Sequence, residues 1–326
     1  MDTSLRSTHP SHFDSTGSNN LVGSLPATEL KILSNLEVFH VHDNFLTGMV
    51  PGDLISGLPL LESFDVSNNV LSGTLSTKFG QLSKLHTLKF DRNKLDGSIP
   101  TELGSLYHVL QHVSGYENSF TGSFPWDHFI INSSSQQSST ITLSNVYMGS
   151  NHITGQLPTD MTAFSKITSI FFDDNLLQGT ISDPFLLPLQ GLVYLDLSNN
   201  NFDDGTTIPT SVGVLTGLRE LRLSGNRLNG AIPAEIANCS DLEILELSSN
   251  YFVGTIPTVL GTLEKLISFD LSTNQLEGTV PTELGNLRQL TSLGLSVNFL
   301  TGTVPTEFVS LSSLRKCQNQ RVESYL

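Results

Sequence analysis

The chain has 326 residues, 38% of them hydrophobic and 14% charged, a balance that argues against a disordered or fibrous protein. Its 31 acidic residues against 16 basic ones leave a net charge of −15, which repels phosphate backbones and anionic lipid and argues against nucleic-acid or membrane-surface binding. No stretch approaches the roughly 18 uninterrupted apolar residues of a membrane span, and two cysteines, Cys239 and Cys317, cannot frame a disulfide scaffold.

Residues 1–18 form a polar N-terminal segment with no recognisable cap, and MDTSLRSTHPSHFDSTGSNN lacks the apolar core of a secretory signal. At Asn19 a phrase begins: asparagine, any residue, an apolar residue, any residue, glycine. It returns at Asn44, Asn69, Asn93, Asn118, Asn151, Asn175, Asn226, Asn250, Asn274 and Asn298, and Asn200 heads a copy lengthened by two residues. The interval is 24–26 residues except for one of 33 after Asn118. Fixed-period similarity of this length marks a stack of structural repeats.

The unit Leu266–Gln289 shows the logic. Phe269 and Leu271 alternate with Ser268, Asp270 and Ser272, which predicts a strand with one buried face. Asn274 sits where the chain leaves that strand, and a buried carboxamide there can bond the backbone groups of the turn and of the next coil. Stacked copies predict an asparagine ladder. Leu276, Val280 and Leu284 point inward, Gly278 permits a left-handed backbone, and Pro281 stops the second extended stretch. The segment TELGNL is long enough for one turn of helix or 3₁₀ helix.

Several units depart from this pattern. Gly115 takes a strand position that is apolar elsewhere, and Ser76 and Ser182 replace the proline. The long interval reflects an insertion near 131–140, IINSSSQQSST, polar and serine-rich enough to be a loop. Asp203 and Asp204 lengthen another coil. Such irregularities either serve binding or record drift in a tolerant array. The last residues, 315–326, begin another strand and stop, as a truncated repeat or tail. Both ends read as missing pieces, so the chain is expected to be part of a longer parent. Cys239 and Cys317 lie about four coils apart, roughly 19 Å at the strand spacing of a sheet, too far for a disulfide. Cys239 reads as a small buried residue.

The phrases LSTNQLEGTVPTELGNL, LSVNFLTGTVPTEF, LSGNRLNGAIPAEIANCSDL and FDRNKLDGSIPTELGSL resemble the plant-type leucine-rich repeat. The resemblance runs over residues 19–314, about 12 repeats of 24–25 residues. It implies an α/β solenoid, a leucine-rich-repeat horseshoe or superhelix. A long parallel β-sheet would line its concave face, with short 3₁₀ or helical turns and loops on the convex one. Such repeats occur in ectodomains of plant receptor-like kinases and receptor-like proteins, in polygalacturonase-inhibiting proteins and in many algal proteins.

With about twelve strands the sheet would be roughly 55 Å long, room for a protein or an extended peptide. Its central outward column reads His40, Asp65, Lys89, Ser114, Tyr147, Phe171, Asp196, Arg222, Glu246, Asp270 and Gly294. Tyr194 comes from an adjacent column; His42, Asp91, Tyr116 and Asp173 come from the next. Tyr147 and Phe171 are expected side by side with Tyr194 diagonal to them, as exposed interface anchors or as incidental cross-strand pairs. Asp196, Arg222 and Glu246 follow on consecutive strands and predict a surface ion ladder of little stabilising weight. The candidate ligand-binding residues are therefore Tyr116, Tyr147, Phe171, Asp173, Tyr194, Asp196, Arg222 and Glu246.

No metal site is expected. His40, His42 and Asp65 read as solvated side chains, and His108 and His112 lack the glutamate of a zinc-protease helix. Asp173, Asp174, Asp196, Asp203 and Asp204 have no calcium loop around them. No cofactor is expected either: nucleophile-elbow, phosphate-loop, dinucleotide and kinase phrases are missing, so a kinase would lie beyond residue 326. Asn132-Ser133-Ser134 is a glycosylation acceptor, and Asn238-Cys239-Ser240 is a weaker one.

The resemblance implies a non-catalytic protein- or peptide-binding module, the recognition region of a receptor-like protein or receptor-like kinase. It would work at the cell surface or outside the cell, with a peptide or protein ligand and a possible co-receptor. Two alternatives stand beside it: a secreted inhibitor of a polygalacturonase-type hydrolase, and a cytoplasmic scaffold, which the lack of a signal peptide would suit.

Overall fold

The structure, a computed structural model, describes residues 19–135 and 140–318. The polar segment 1–18, part of the serine-rich insertion and residues 319–326 lie outside the described residues.

Each circuit of the chain makes three sides. The concave side is a twelve-stranded parallel sheet running from Val38–His40 through Tyr194–Asp196 to Lys316–Gln318. Its register is strict: Phe39 pairs with Phe64, Leu195 with Leu221 and Phe269 with Leu293. The middle residue of each strand faces inward and is buried from Phe39 to Leu293. Phe269 and Leu271 lie wholly inside while Asp270 between them faces out, as the period of two requires. Short 3₁₀ helices such as Thr282–Asn286, entered from Pro281, form the convex side.

The third side was not legible as a sheet. In nine coils the stretch after the asparagine of the repeat pairs with its neighbours, in two further parallel sheets. One has six strands, from Val22–Ser24 to His152–Ile153, and one has three, from Val253–Gly254 to Phe299–Thr301. They are separated where Asp203 and Asp204 lengthen a coil. There the Asp203 carboxylate accepts from the Gly179 amide at 3.1 Å and takes over part of the missing strand pairing.

The departures from the repeat have local remedies. At Gly115 a Cβ would meet the Phe90 ring at 2.3 Å; Phe90 and Phe120, edge to face at 5.3 Å, fill the space of the missing side chain. Ser76 replaces proline and its hydroxyl accepts from the Lys78 amide at 3.2 Å, capping the 3₁₀ helix Thr77–Gln81. The first part of the insertion expected to be a loop, up to Ser135, instead ends a helix, Trp126–Ser135; residues 136–139 lie outside the described residues. Trp126, Phe129 and Ser133 are buried at helical spacing, an apolar face that the serine-rich composition of its second half conceals.

What joins coil to coil is the asparagine. At Asn175 the carboxamide oxygen accepts from the Ile153 amide of the preceding coil at 2.8 Å. Its nitrogen donates to the carbonyls of Met148 in that coil and of Phe172 and Asp173 in its own. Similar sets form at Asn69, Asn118, Asn200, Asn250 and Asn298. The residue before each asparagine adopts a left-handed backbone, including Asp174 at φ 51° and even the β-branched Val297 at φ 57°. The turn is imposed by the ladder and not by local preference.

Asn175→Ala leaves several buried backbone groups without a partner, at about 1–3 kcal/mol for each such loss. Urea denaturation should show at least about 3 kcal/mol less stability, and a smaller loss for Asn298→Ala near the end of the stack. A loss below about 1 kcal/mol at Asn175 would contradict a structural ladder.

Candidate functional site on the concave face

In the fifth to ninth concave strands the outward side chains form one continuous surface. Tyr147 pairs directly with Phe171, with ring centroids 5.0 Å apart, and Tyr194 stands 6.3 Å from Phe171. His112 extends the row, 5.1 Å from Tyr147. The surface differs from the sequence expectation in one respect. Phe171 is not an exposed anchor; only 3% of it is accessible, because the flanking tyrosines cover it. The accessible part of the row is therefore the half-buried Tyr147 and Tyr194, with Phe171 packed between them.

The row is supported from behind. Phe172, the inward neighbour of Phe171, packs against Phe124 and Trp126, with centroids at 5.7 Å and 5.9 Å. Trp126 also meets Phe164 at 5.4 Å. The helix Trp126–Ser135, the most irregular part of the chain, thus buttresses the strand that carries the aromatic row. Asn132 lies in that helix, half-buried.

Next to the row lies a charge network. Arg222 donates from Nε to Glu220 at 3.0 Å and from a terminal nitrogen to Glu246, and its Nε is 3.9 Å from Asp196. Arg222 is 8% accessible and Asp196 4%, so the expected surface ladder is in fact largely buried. Such a network fixes geometry more than it adds net stability. Glu220 was not among the predicted residues, nor was His112. Both occupy the outward column of Tyr194, where strand alternation alone would have placed them.

Two further carboxyls bear on the face. Asp91 accepts from the Tyr116 amide at 2.8 Å and from the Ser114 hydroxyl; burial nonetheless pushes its pKa up to about 6. Asp173 leans across Gly149, where a Cβ would come within 2.3 Å of its Oδ1. Burial first, then the neighbouring Asp196 and Asp174, holds its pKa well above the carboxylate range. Asp196 is raised too, by burial, against the bonds from Ser198 and the pull of Arg222. His112 is lowered to about 3 by burial and by Lys89, and so stays neutral. Tyr116 borders the same area, with burial raising its hydroxyl.

His40 and His42 stand 6.2 Å apart, with His40 bonded to Ser63 and His42 to Asp43. Among the described residues no three His, Cys, Asp or Glu side chains gather as metal ligands, and no helix is long and apolar enough to cross a membrane. Cys239 is buried and Cys317 exposed, and neither is in a disulfide.

Strict parallel register, an asparagine ladder and a curved outer face define a leucine-rich-repeat solenoid. Comparison with known proteins agrees: one family model for the leucine-rich repeat matches residues 240–300, and a second matches 84–106, 191–215 and 217–239. Receptor-like protein 54 of Arabidopsis thaliana is 32% identical over 152 residues, which cover 47% of this chain and 17% of that protein. Among solved structures, the PEPR1–AtPEP1 complex superposes with a TM-score of 0.81 at 31% identity, over 93% of this chain and 41% of that one. The Arabidopsis receptor kinase HAESA, in complex with the peptide hormone IDA and the co-receptor SERK1, gives 0.80 at 31% identity, over 93% and 49%. The chain thus carries leucine-rich repeats in a solenoid and is similar to plant receptor-like proteins and receptor-kinase ectodomains. It spans less than a fifth of that curated relative and about half or less of those receptor chains.

Carboxyls with raised pKa values stabilise the fold when protonated, and that contribution is lost as pH rises from the ordinary carboxylate value through the raised one. Asp173→Asn should therefore gain stability relative to the parent as pH rises from about 4 to about 8, read as a widening difference in melting temperature. A difference that stays constant across that range would contradict the assigned environment.

Proposed function

We propose that this chain is the recognition region of a cell-surface receptor-like protein or receptor-like kinase, and that it binds a peptide along its concave face. The reading is carried by the row Tyr147–Phe171–Tyr194 beside the Arg222 network, set on a rigid sheet near the centre of the array. Paired tyrosines present large area at low entropic cost, and buried charges around them fix orientation. The curvature suits an extended ligand laid across several strands. The similarity to a receptor kinase solved with a peptide hormone and a co-receptor supports the same reading.

The chain's work is binding, and any catalytic domain belongs to another part of a longer parent. Tyr116, Asp173, Asp196 and Glu246 complete the proposed contact surface. Arg219 and Glu243, an ion pair next to the same strands, would be available to a co-receptor beside the ligand.

Two outcomes follow. A peptide ligand selected on the full chain should lose about 2 kcal/mol of affinity, roughly thirtyfold, on Tyr147→Ala or Tyr194→Ala, as titration calorimetry would read; unchanged affinity in both removes the aromatic row from the site. Expression through a eukaryotic secretory pathway should place a glycan on Asn132. Intact mass before and after glycosidase treatment reads it, and an unmodified secreted chain counts against Asn132 as an acceptor.

A further inference from the structure

Asparagine is among the thermally labile residues, and the ladder protects its own. Asn226 is held at both ends of its carboxamide: the oxygen accepts from the Asn200 amide at 3.1 Å, and the nitrogen donates to the carbonyls of Leu197, Leu223 and Ser224. A carboxamide fixed in this way cannot turn toward the amide that follows it. Each ladder asparagine is also followed by a residue with a side chain, such as Arg227 or Tyr251, which crowds that amide.

Asn229 differs on each count. It is the one asparagine of the sequence followed by glycine, and it is half-buried, within reach of water. Its carboxamide oxygen accepts from the amide of Gly230 itself. The carboxamide carbon, one bond from that oxygen, therefore lies against the nitrogen that can attack it, an arrangement close to the reacting geometry. Gly230 has a left-handed backbone at φ 77° and no Cβ to shield its nitrogen. Nor does a strand hold the pair. The six-stranded sheet of the third side ends at His152–Ile153 and the three-stranded one begins at Val253–Gly254, with Asn229 and Gly230 between them. Asp96-Gly97, at the same point of an earlier coil, lies inside the strand Lys94–Ser98 and is paired on both sides.

We propose that Asn229-Gly230 is a site of spontaneous covalent modification, at which the folded chain deamidates through a cyclic imide to aspartate and isoaspartate. The Gly230 nitrogen gives up its proton to water and attacks Cγ of Asn229. The new C–N bond closes a five-membered ring, the bond from Cγ to the side-chain nitrogen breaks, and ammonia leaves. Water then opens the ring. Attack at Cγ gives aspartate; attack at the main-chain carbonyl carbon gives isoaspartate, which carries one more carbon in the backbone. That carbon falls between two bonds that join coils: the Asn229 amide donates to the Thr206 carbonyl at 2.7 Å, and the Val253 amide donates to the Gly230 carbonyl at 3.0 Å. The isoaspartate product therefore strains the join between the coil lengthened by Asp203 and Asp204 and the three-stranded sheet.

The test is the folded full chain held near neutral pH for several weeks beside the same chain in denaturant, with peptide maps read by mass spectrometry. The folded chain is expected to gain the mass difference between hydroxyl and amino group in the peptide that carries Asn229, while its ladder asparagines stay intact. The same peptide should accept a methyl group from S-adenosylmethionine through protein-isoaspartate methyltransferase. The rate at Asn229 should lie within about tenfold of that in denaturant. Asn229→Gln, whose longer side chain cannot close the five-membered ring, should show neither change at that position. The aged chain should melt below freshly made Asn229→Asp, which has the new carboxylate without the extra backbone carbon; equal melting would overturn the strain assigned to the join. A rate more than about tenfold slower than in denaturant, or amide loss spread over the ladder asparagines, would overturn Asn229-Gly230 as a site of the folded chain.

Discussion

A leucine-rich coil is too thin to hide its own core, and the side chain that lets thin coils stack is the asparagine at the end of each concave strand. Leucine and phenylalanine supply the driving force, at about 1.5–3 kcal/mol for each side chain removed from water. That force is not directional. The asparagine carboxamide gives it direction, because its bonds to two successive coils are satisfied in a single register. It also holds the preceding residue in the left-handed region, as at Asp174, Ser249 and Val297, despite the cost to a residue with a side chain. The even spacing of the outward side chains on the concave sheet follows from this inner constraint.

Function enters where the outer positions are released from that constraint. The ladder and the inward leucines repeat because the stack demands them, whereas outward residues answer only to solvent or to a ligand. Elsewhere in the array the column of Tyr194 carries mostly small polar residues, such as Ser63, Thr87, Ser268 and Ser292. Between His112 and Glu246 the outward positions instead carry four packed rings and a buried ion network. Burying charge is costly unless every partner is placed, and that cost sets these strands apart from the rest of the array.

The fold was almost fully legible in the sequence, because twelve copies at intervals of 24–26 residues, with a single longer one, leave one way to bury the leucines. Alternation in a strand also placed Tyr147, Phe171 and Tyr194 together. What alternation cannot show is how far neighbouring rings cover one another, so the burial of Phe171 and of Arg222 came only with the structure. Glu220 and His112 were missed for a simpler reason, since one outward column was followed more closely than its parallel neighbour. The helix Trp126–Ser135 was hidden by composition: its buried face is made by Trp126, Phe129 and Ser133, and the serine-rich second half reads as loop. The second sheet was hidden because its strands are set by the coil above and below, not by an apolar alternation of their own.

The most direct test of the ladder as the organising constraint is amide hydrogen exchange along the full chain. The amides of Leu95, Phe120, Ile153 and Leu177, which donate to ladder carboxamides, should exchange only through global unfolding, as slowly as the concave-strand amides of Met148 and Phe172. Exchange of those four through local opening, orders of magnitude faster than the strands beside them, would show that the sheet holds the coils and the asparagines merely decorate it.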